Sequence, residues 1–215
     1  MSGGIAAVLL AAGESRRMGS TNKLALSVGG QPLLRRTAET LLGSRLTEIV
    51  VVLGHEASWA RRTLEDLPVR TIYNDNFRQG QMTSVHTGLS ALERAVDGVM
   101  ICLADQPLLV SADIDRLIDA YLADPACSVL VPVCRGRRGN PIVLNYAHRD
   151  AILDGDPKLG CRRFIERYPD LVTTIEVDSD SYVTDLDTPE DRRRLLPYDE
   201  ARQAVPNAMP VSAED

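Results

Sequence analysis

Residues 10–23 read LAAGESRRMGSTNK, and the rest of the chain is organised around this stretch. An apolar run at residues 5–10 leads into it, as a buried strand leads into a loop. The loop opens with residues that have little or no side chain, namely Ala11, Ala12 and Gly13. Cations follow in the same loop, namely Arg16, Arg17 and Lys23. Because small residues let backbone N–H groups approach an anion and cations supply charge, the stretch predicts a loop that binds nucleotide phosphates.

Two well-known phosphate-binding motifs do not occur in the sequence. The P-loop requires G-x-x-x-x-G-K-[ST] and the dinucleotide-binding fold requires G-x-G-x-x-G, and the chain has neither spacing. The sequence therefore predicts a third kind of phosphate-binding loop. The alternative interpretation of the small residues and arginines is a strand followed by a basic surface turn that binds no ligand.

Length and composition predict one globular domain. The chain has 215 residues, enough for one α/β domain with a full core and somewhat short for two. Its net charge of −6 argues against general nucleic-acid binding, so we expect no nucleic-acid partner. The four cysteines include no C-x-x-C pair, so zinc and redox chemistry are not expected. The N-terminal apolar run is too short to span a bilayer and lacks a basic leader, which predicts a cytoplasmic protein without a membrane partner.

Hydrophobic patterns outward from the loop predict alternating strands and helices. Further predicted strands lie at residues 48–53, 69–73, 99–103, 128–133, 141–144 and 172–177. Predicted helices lie at residues 32–42, 57–64, 83–95, 111–122 (capped by Ser111) and 162–168, with a last one opened by Thr188. This alternation predicts an α/β fold with a single doubly wound, mostly parallel sheet and helices on both faces. We expect the domain to span residues 1–196, followed by a flexible tail at residues 197–215.

The opening loop resembles the first motif of the molybdenum-cofactor nucleotidyltransferases, L-A-x-G-x-S-x-R-M-G followed by a lysine. The matching residues are Leu10, Ala11, Gly13, Ser15, Arg17, Met18, Gly19 and Lys23. The resemblance extends over most of the chain and is closest to the branch that makes molybdopterin cytosine dinucleotide from CTP. It implies a Rossmann-like, GT-A-like fold in which this loop binds the nucleotide. The nucleotide-binding residues implied in this way are Leu10, Ala11, Ala12, Gly13, Arg17, Lys23, Gly80 and Ser84.

Two segments contain aspartates that are candidates for binding Mg²⁺. Magnesium is held by a few carboxylates together with phosphate oxygens and water. Asp105 follows the strand at residues 99–103 in the segment CLADQP, which resembles the metal-binding segment of the family. The segment TDLDTPED at residues 184–191 resembles the closing motif of the family, so Asp187 or Asp185 would complete the metal site. The alternative for each aspartate is a role in a turn or next to a helix cap.

The segment GQMTSVHTG at residues 80–88 resembles the G-x-x-x-S-x-x-x-G segment with which the family reads the base. Ser84 would then face the base or the ribose, with Gly80 beside it, and an ordinary helix N-terminus is the alternative. His86 lies in the same segment and is assigned no role. Ala12 stands where the guanylyl branch of the family has glycine, and its methyl group narrows the space for a purine. We therefore expect CTP to be preferred over GTP.

The acceptor side departs from the family pattern at two places. Asn140 replaces the histidine of the family segment R-G-H-P, and GDPKLGCR at residues 155–162 is longer than the family segment G-D-x-G-A-R. Asn140 and Arg162 are the residues that the resemblance implies for binding the acceptor. Because the acceptor supplies its own nucleophilic phosphate, no serine or cysteine nucleophile is required. These two segments leave the identity of the acceptor open.

The resemblance implies a Mg²⁺-dependent enzyme that transfers CMP from CTP to the phosphate of molybdopterin and releases pyrophosphate. Its catalytic residues would be Arg17, Lys23 and Asp105. The expected partners are CTP, molybdopterin or a similar phosphorylated acceptor, and a molybdoenzyme or its maturation factor. One alternative is a non-catalytic carrier or assembly protein for the molybdenum cofactor, against which the intact Lys23 and Asp105 argue. The other is a cytidylyltransferase of the same fold with a sugar or isoprenoid-precursor acceptor.

Overall fold

The fold consists of one main sheet with helices packed on it and a small two-stranded ribbon. The structure is a computed structural model that describes residues 3–94, 96–153 and 169–195. Its strands are β1 (Ile5–Ala11), β2 (Ser27–Val28), β3 (Gln31–Pro32), β4 (Glu48–Leu53), β5 (Arg70–Tyr73), β6 (Gly98–Leu103), β7 (Val129–Cys134), β8 (Arg137–Arg138), β9 (Ile142–Asn145) and β10 (Val172–Glu176). Its α-helices are α1 (Leu33–Leu42), α2 (Ala57–Thr63), α3 (Gln81–Ala91), α4 (Ser111–Ala123), α5 (Arg149–Leu153) and α6 (Pro189–Leu195).

The main sheet has the strand order β10-β7-β9-β6-β1-β4-β5, and β8 pairs with β7. β1 lies parallel between β4 and β6, β5 is parallel to β4, and β10 is parallel to β7. The chain passes from β1 to β4 and β5 on one side and then crosses to β6 on the other. The connections therefore diverge at the carboxyl ends of β1 and β6, and open α/β sheets bind ligands at such a switch point.

Helices cover both faces of the sheet because successive side chains of a strand point to opposite faces. Ala7 and Leu9 of β1 belong to one core cluster, which includes residues of α1 and α4. Ala6 and Val8 belong to the other cluster, which includes residues of α3 and α5. The prediction of a doubly wound, mostly parallel sheet is confirmed. β9 is antiparallel to both β6 and β7, which its apolar sequence did not predict, because a fully buried strand has the same pattern in either direction.

Helix α3 packs closely on the sheet at Gly88. A Cβ atom at Gly88 would collide with the side chain of Val8 and would lie 3.0 Å from Cγ2 of Val52, so glycine is needed at this contact. Because α3 connects β5 to the parallel strand β6, its N-terminus lies at the carboxyl ends of the strands. The close packing therefore holds the start of α3 beside the loop that follows β1.

Helix α3 differs from its predicted bounds by more than one residue, and α4 differs in the role of Ser111. α3 begins at Gln81, two residues before the predicted start, because Gly80 has a φ of 123°, a conformation that glycine adopts readily and that separates the helix from the preceding turn. The same helix ends at Ala91, four residues before the predicted end. Ser111 is the first residue of α4 and not its cap, because its hydroxyl donates to the Thr40 carbonyl oxygen of α1 at 2.8 Å.

Three segments named in the predictions lie outside the described residues: the acceptor-side segment at 155–162, the helix at 162–168 and the tail at 197–215. The antiparallel ribbon of β2 and β3 was not predicted, since each of its strands is only two residues long. In the part of the chain that the structure describes, no helix has the length and the apolar character that a membrane crossing needs.

Candidate active site

The loop after β1 is folded back on itself around Ser15. Ser15 has a φ of 52°, in the left-handed region, and its carbonyl oxygen accepts from the Met18 N–H at 2.8 Å. Its hydroxyl oxygen accepts from the Lys23 N–H at 3.2 Å. These two hydrogen bonds close the loop, so the cationic side chains of Arg17 and Lys23 lie near the carboxyl end of β1.

The side chain of Lys23 contacts carboxylates from two distant segments. Its ammonium group is paired with Oδ2 of Asp105 and donates to Oδ1 of Asp187 at 2.7 Å. Arg17 Nη2 lies 2.8 Å from the other carboxylate oxygen of Asp187. The Lys23 side chain is only 14% exposed, whereas that of Arg17 is 70% exposed. The structure thus brings together residues of three predicted motifs at one point.

The segment that carries Asp187 is anchored to the end of β6. The Leu186 N–H donates to the Asp105 carbonyl oxygen at 2.8 Å, and the Leu186 side chain is fully buried. Thr188 and Asp191 cap the helix that follows: the Thr188 hydroxyl oxygen accepts from the Asp191 N–H at 3.1 Å, and the Asp191 carboxylate accepts from the Thr188 N–H at 3.0 Å. Because Asp191 has this role, the carboxylate of Asp187 is directed to Lys23 and Arg17 and not to the cap.

The centre carries more negative than positive charge in its interior. Burial lowers the pKa of Lys23, but the charges of Asp105 and Asp187 and the hydrogen bonds with them outweigh it, so this pKa is raised above its ordinary value. Burial, together with the charges of Asp105 and Asp187, raises the pKa of Asp185 to about 6. Oδ1 of Asp105 and Oδ1 of Asp185 are buried and have no hydrogen-bond partner within the described part of the chain. Such unpartnered carboxylate oxygens favour the binding of a further cation.

A cation at this centre would need ligands beyond the protein. Among the described residues, no three histidine, cysteine, aspartate or glutamate side chains are arranged to hold a metal ion by themselves. Asp105 and Asp187 supply hard oxygen ligands, and Mg²⁺ accepts one or two carboxylates together with phosphate oxygens and water. The donor set therefore fits a divalent cation that arrives with a bound nucleotide.

Two neighbouring cavities flank the centre and share Phe77 in their walls. The first has a volume of about 240 Å³, and the predicted residues in its wall are Leu10, Ala11, Ala12, Gly13, Lys23, Ser84 and Asp105. The second has a volume of about 260 Å³, and the predicted residues in its wall are Arg17, Gly80 and Asp187. Every residue predicted to bind the nucleotide therefore lines one of these two cavities.

The second cavity is cationic and contains residues that the sequence analysis missed. Arg16 and Arg78 both hydrogen-bond to Glu14, at 2.7 and 3.1 Å, and these bonds, with that of Arg16 the stronger influence, lower the pKa of Glu14. The Arg78 guanidinium lies 5.1 Å from the centre of the Phe77 ring. Arg78 and Phe77 belong to an irregular loop, where no periodic pattern marks a residue for the site, and Glu14 is one charged residue among several in the opening motif.

The wall formed by Ala12 depends on a glycine that the sequence analysis did not single out. A Cβ atom at Gly54 would lie 2.8 Å from Cβ of Ala12 and 2.7 Å from the ring of Phe77, so the missing side chain lets Ala12 and Phe77 each pack against Gly54. The Ala12 carbonyl oxygen accepts from the His55 N–H at 3.2 Å. The backbone of Ala12 is thereby held in place next to the first cavity.

The predicted acceptor residues are not brought into this arrangement. Asn140 lines neither cavity, and its N–H donates to the Tyr182 carbonyl oxygen at 2.8 Å, which attaches it to the segment leading to Asp185. Arg162 lies outside the described residues. His86, to which no role was assigned, also lines neither cavity, and burial lowers its pKa.

Comparison with known proteins identifies relatives over most of the chain. A family model described as the MobA-like NTP transferase domain matches residues 7–172. Nicotine blue oxidoreductase of Paenarthrobacter nicotinovorans is 33% identical over 201 residues, which cover 89% of this chain and 96% of that protein. A 2-C-methyl-D-erythritol 4-phosphate cytidylyltransferase of Xanthomonas axonopodis pv. citri is 33% identical over 159 residues, which cover 72% of this chain and 58% of the relative.

Solved structures show the same fold. The crystal structure of Rv0371c from Mycobacterium tuberculosis H37Rv has a TM-score of 0.81 at 24% identity, and the match covers 92% of this chain and 99% of that one. A structure of the same mycobacterial protein in complex with manganese has a TM-score of 0.77 at 22% identity, with 92% of this chain and 100% of that chain covered. At these identities the likeness concerns the fold alone.

Proposed function

This chain belongs to the MobA-like NTP transferase family and is a nucleotidyltransferase, and we propose that it transfers CMP from CTP to a phosphorylated acceptor, molybdopterin. In this reaction an oxygen of the acceptor phosphate attacks the α-phosphorus of CTP, and pyrophosphate leaves. The observation that carries the proposal is the meeting of Lys23, Asp105 and Asp187 between two cavities at the switch point of the sheet.

The two cavities suit the two ends of a nucleoside triphosphate. The cavity with Arg16, Arg17 and Arg78 in its wall would take the phosphates, because its exposed guanidinium groups can form charge-assisted hydrogen bonds with phosphate oxygens. The cavity lined by Ala12 and Ser84 would take the base, since its wall combines small apolar groups with a hydroxyl. Lys23 lies in the wall of the first cavity and contacts Asp187 in the wall of the second, so the α-phosphate would be held beside Lys23, between the two cavities.

Asp105 and Asp187 are the residues that would hold a divalent cation, which we propose to be Mg²⁺. The cation, when bound, neutralises charge that develops on the phosphates during transfer. Lys23 and Arg17 would add positive charge at the same place and align the reacting phosphate, which is most of what phosphoryl transfer requires of a protein. The related mycobacterial structure with manganese supports a divalent cation in this fold.

Base choice is proposed to favour CTP because of the space beside Ala12. Its methyl group packs beside Gly54, and its carbonyl oxygen accepts from the His55 N–H, so this part of the cavity wall is held in place and would not move aside for a purine. The relative named as a cytidylyltransferase supports CTP as the donor.

Two compounds are candidates for the acceptor of the CMP group. Asn140 in place of the family histidine changes a residue implied for acceptor binding. The cytidylyltransferase relative acts, by its name, on 2-C-methyl-D-erythritol 4-phosphate, which is also a phosphorylated acceptor. Both candidates carry the nucleophilic phosphate that the reaction needs, so an acceptor comparison decides between them.

The test is release of pyrophosphate from each of CTP, GTP, ATP and UTP, with molybdopterin or 2-C-methyl-D-erythritol 4-phosphate as acceptor. We expect release with CTP and molybdopterin in the presence of Mg²⁺, and its loss in Asp105→Asn. Asp119→Asn is a matched control, because Asp119 is an exposed carboxylate of α4 whose partner is Arg45. If pyrophosphate is released with 2-C-methyl-D-erythritol 4-phosphate and not with molybdopterin, the proposed acceptor is wrong. If Asp105→Asn releases pyrophosphate as fast as the parent, Asp105 is not part of the metal site.

A further inference from the structure

Asn74 is a buried polar residue behind the wall of the first cavity. It follows β5, its side chain is in contact with α3, and the residue is only 3% exposed. Its backbone N–H donates to the Leu53 carbonyl oxygen at 2.9 Å, which anchors it at the carboxyl end of β4. Asn74 lines neither cavity, so any effect on a ligand must pass through another residue.

The side-chain amide of Asn74 has a defined orientation. Its Oδ1 accepts from the Asn76 N–H at 2.9 Å, and its Nδ2 donates to the hydroxyl oxygens of Thr83 and Ser84, each at 2.9 Å. A backbone N–H can only donate, so the amide oxygen must face Asn76. The amide NH₂ group must therefore face Thr83 and Ser84.

Thr83 supports the same orientation independently. Its hydroxyl lies 2.8 Å from the Gly80 carbonyl oxygen and 3.0 Å from the Asn76 carbonyl oxygen. Carbonyl oxygens can only accept, so the Thr83 hydroxyl gives its hydrogen to one of them and must accept from its other neighbour, Asn74. Both ends of the network thus require that Asn74 donates toward the hydroxyls.

This orientation leaves the Ser84 hydroxyl as a donor. One of its lone pairs is occupied by the amide of Asn74, and no hydrogen bond donated by this hydroxyl is found within the described part of the chain. Ser84 lines the first cavity, where the proposed base would lie. A hydroxyl has one hydrogen and two lone pairs, and the Asn74 amide occupies one lone pair but cannot take the hydrogen, so the hydrogen is left for an acceptor atom in the cavity.

We propose that Asn74 is a positioning residue that fixes the Ser84 hydroxyl as a hydrogen-bond donor to an acceptor atom of the pyrimidine ring of CTP. This inference rests on the proposed function, because it assumes that a pyrimidine occupies the first cavity. A ring carbonyl oxygen or an unprotonated ring nitrogen meets the requirement, and cytosine presents both on one edge. Asn74 therefore acts on base binding and not on the phosphates.

The variant Asn74→Asp reverses the polarity of the network with almost no change in shape. A carboxylate still accepts from the Asn76 N–H, but its second oxygen accepts from the Ser84 hydroxyl, which then has no hydrogen left for the base. Asn76→Asp is the matched control, since it adds the same charge two residues away and its exposed side chain contacts Gln79 and not Ser84.

The measurement is the dissociation constant of CTP and of inorganic tripolyphosphate, which lacks the base, by isothermal titration calorimetry. Asn74→Asp is expected to weaken CTP binding about five- to tenfold beyond its effect on tripolyphosphate, as for one lost hydrogen bond. Asn76→Asp is expected to affect the two ligands equally. In a Ser84→Ala background, Asn74→Asp should have no further effect on the ratio of the two dissociation constants. A merely structural role of Asn74 would change this ratio equally with and without the Ser84 hydroxyl.

The outcomes separate the inference from the proposed function. If the unmodified protein binds CTP no more tightly than tripolyphosphate, base recognition fails and the inference is overturned with it. If the unmodified protein prefers CTP but Asn74→Asp leaves the ratio of the two dissociation constants unchanged, only the inference is overturned. The same holds if Asn74→Asp changes this ratio equally in the parent and in the Ser84→Ala background. Should Asn74→Asp not fold, Ser84→Ala alone decides, because an unchanged ratio in that variant contradicts a donor at Ser84.

Discussion

Lys23 joins segments that are far apart along the chain: its side chain meets Asp105, 82 positions away, and Asp187, 164 positions away. A cation paired with two carboxylates at low exposure interacts strongly, because solvent screens the pair little. In the proposed function the same side chain also binds a phosphate of the nucleotide. At the scale of single residues, the candidate site therefore depends on a small number of charges that are close together and only partly exposed.

Replacing either cation of this group should weaken CTP binding and slow turnover. Lys23→Ala removes a charge-assisted contact of about 1.5–3 kcal/mol, and Arg17→Ala should have a smaller effect because its side chain is 70% exposed. The measurement is the dissociation constant of CTP together with kcat. Arg94→Ala, at the opposite ends of the strands where Arg94 donates to Thr47, should leave both unchanged. Unaltered CTP binding in both loop variants would exclude the opening loop as the phosphate site.

Ala12→Gly should relax the preference for CTP over GTP. The substitution removes the methyl group beside Gly54 and widens the first cavity, and one methyl group in a pocket changes discrimination by about tenfold or more. The measurement is kcat/KM for CTP and for GTP with one acceptor. If the ratio of the variant equals that of the parent, base discrimination lies in the segment at residues 80–88 instead.

At the scale of elements, the position of α3 decides where Ser84 and Gly80 lie. The helix packs on the sheet through Met82, Val85 and Leu89, which belong to the same core cluster as Val8 of β1. Gly88 allows the close approach, so its role is in packing and not in contact with a ligand. The start of the helix, where the predicted base contact lies, is therefore set by a packing contact two turns further along.

Gly88→Ala should destabilise the protein by about 1–3 kcal/mol, because the added Cβ overpacks the contact with Val8. The measurement is the free energy of unfolding from urea denaturation. Ser90→Ala on the exposed face of the same helix is the control, and it should change stability by no more than a few tenths of a kcal/mol. Equal stability of Gly88→Ala and the parent would show that α3 can move away from the sheet without cost.

At the scale of the whole molecule, the second cavity has positively charged side chains in its wall although the protein as a whole is acidic. The net charge is −6, yet the second cavity has Arg16, Arg17 and Arg78 in its wall, countered there by Glu14 and Asp187. Such a local concentration of cations attracts an anionic ligand to one place and leaves the rest of the surface repulsive to it. The divalent cation and the nucleotide are then expected to bind together, since each supplies charge that the other lacks.

Mg²⁺ and CTP together should raise the thermal unfolding midpoint by more than the sum of their separate effects. The described residues include no group of three histidine, cysteine, aspartate or glutamate side chains placed to hold a metal ion, so we expect nucleotide phosphates to complete its ligands. A ligand present at 100 times its dissociation constant adds about 2.7 kcal/mol to the free energy of unfolding. Differential scanning calorimetry with each ligand and with both measures this. In Asp105→Asn the excess should disappear. Additive effects of the two ligands in the parent would argue against a shared site.

The sequence by itself determined the doubly wound sheet and the loop after β1, because strand and helix periodicity and turn residues are local properties. That Asp105 and Asp187 lie together was implied by the resemblance of their segments to family motifs and not by periodicity. Tertiary structure decided what depends on distant partners. The direction of β9 follows from its pairing with β6 and β7, which its own apolar residues do not specify. Arg78 contacts Glu14 because the loop after β5 meets the loop after β1, and Asn74 contacts Ser84 because the end of β5 lies against the start of α3. Hydrogen-bond polarity and charge pairing between remote segments leave no periodic mark in a sequence, so they become visible only when the chain is folded.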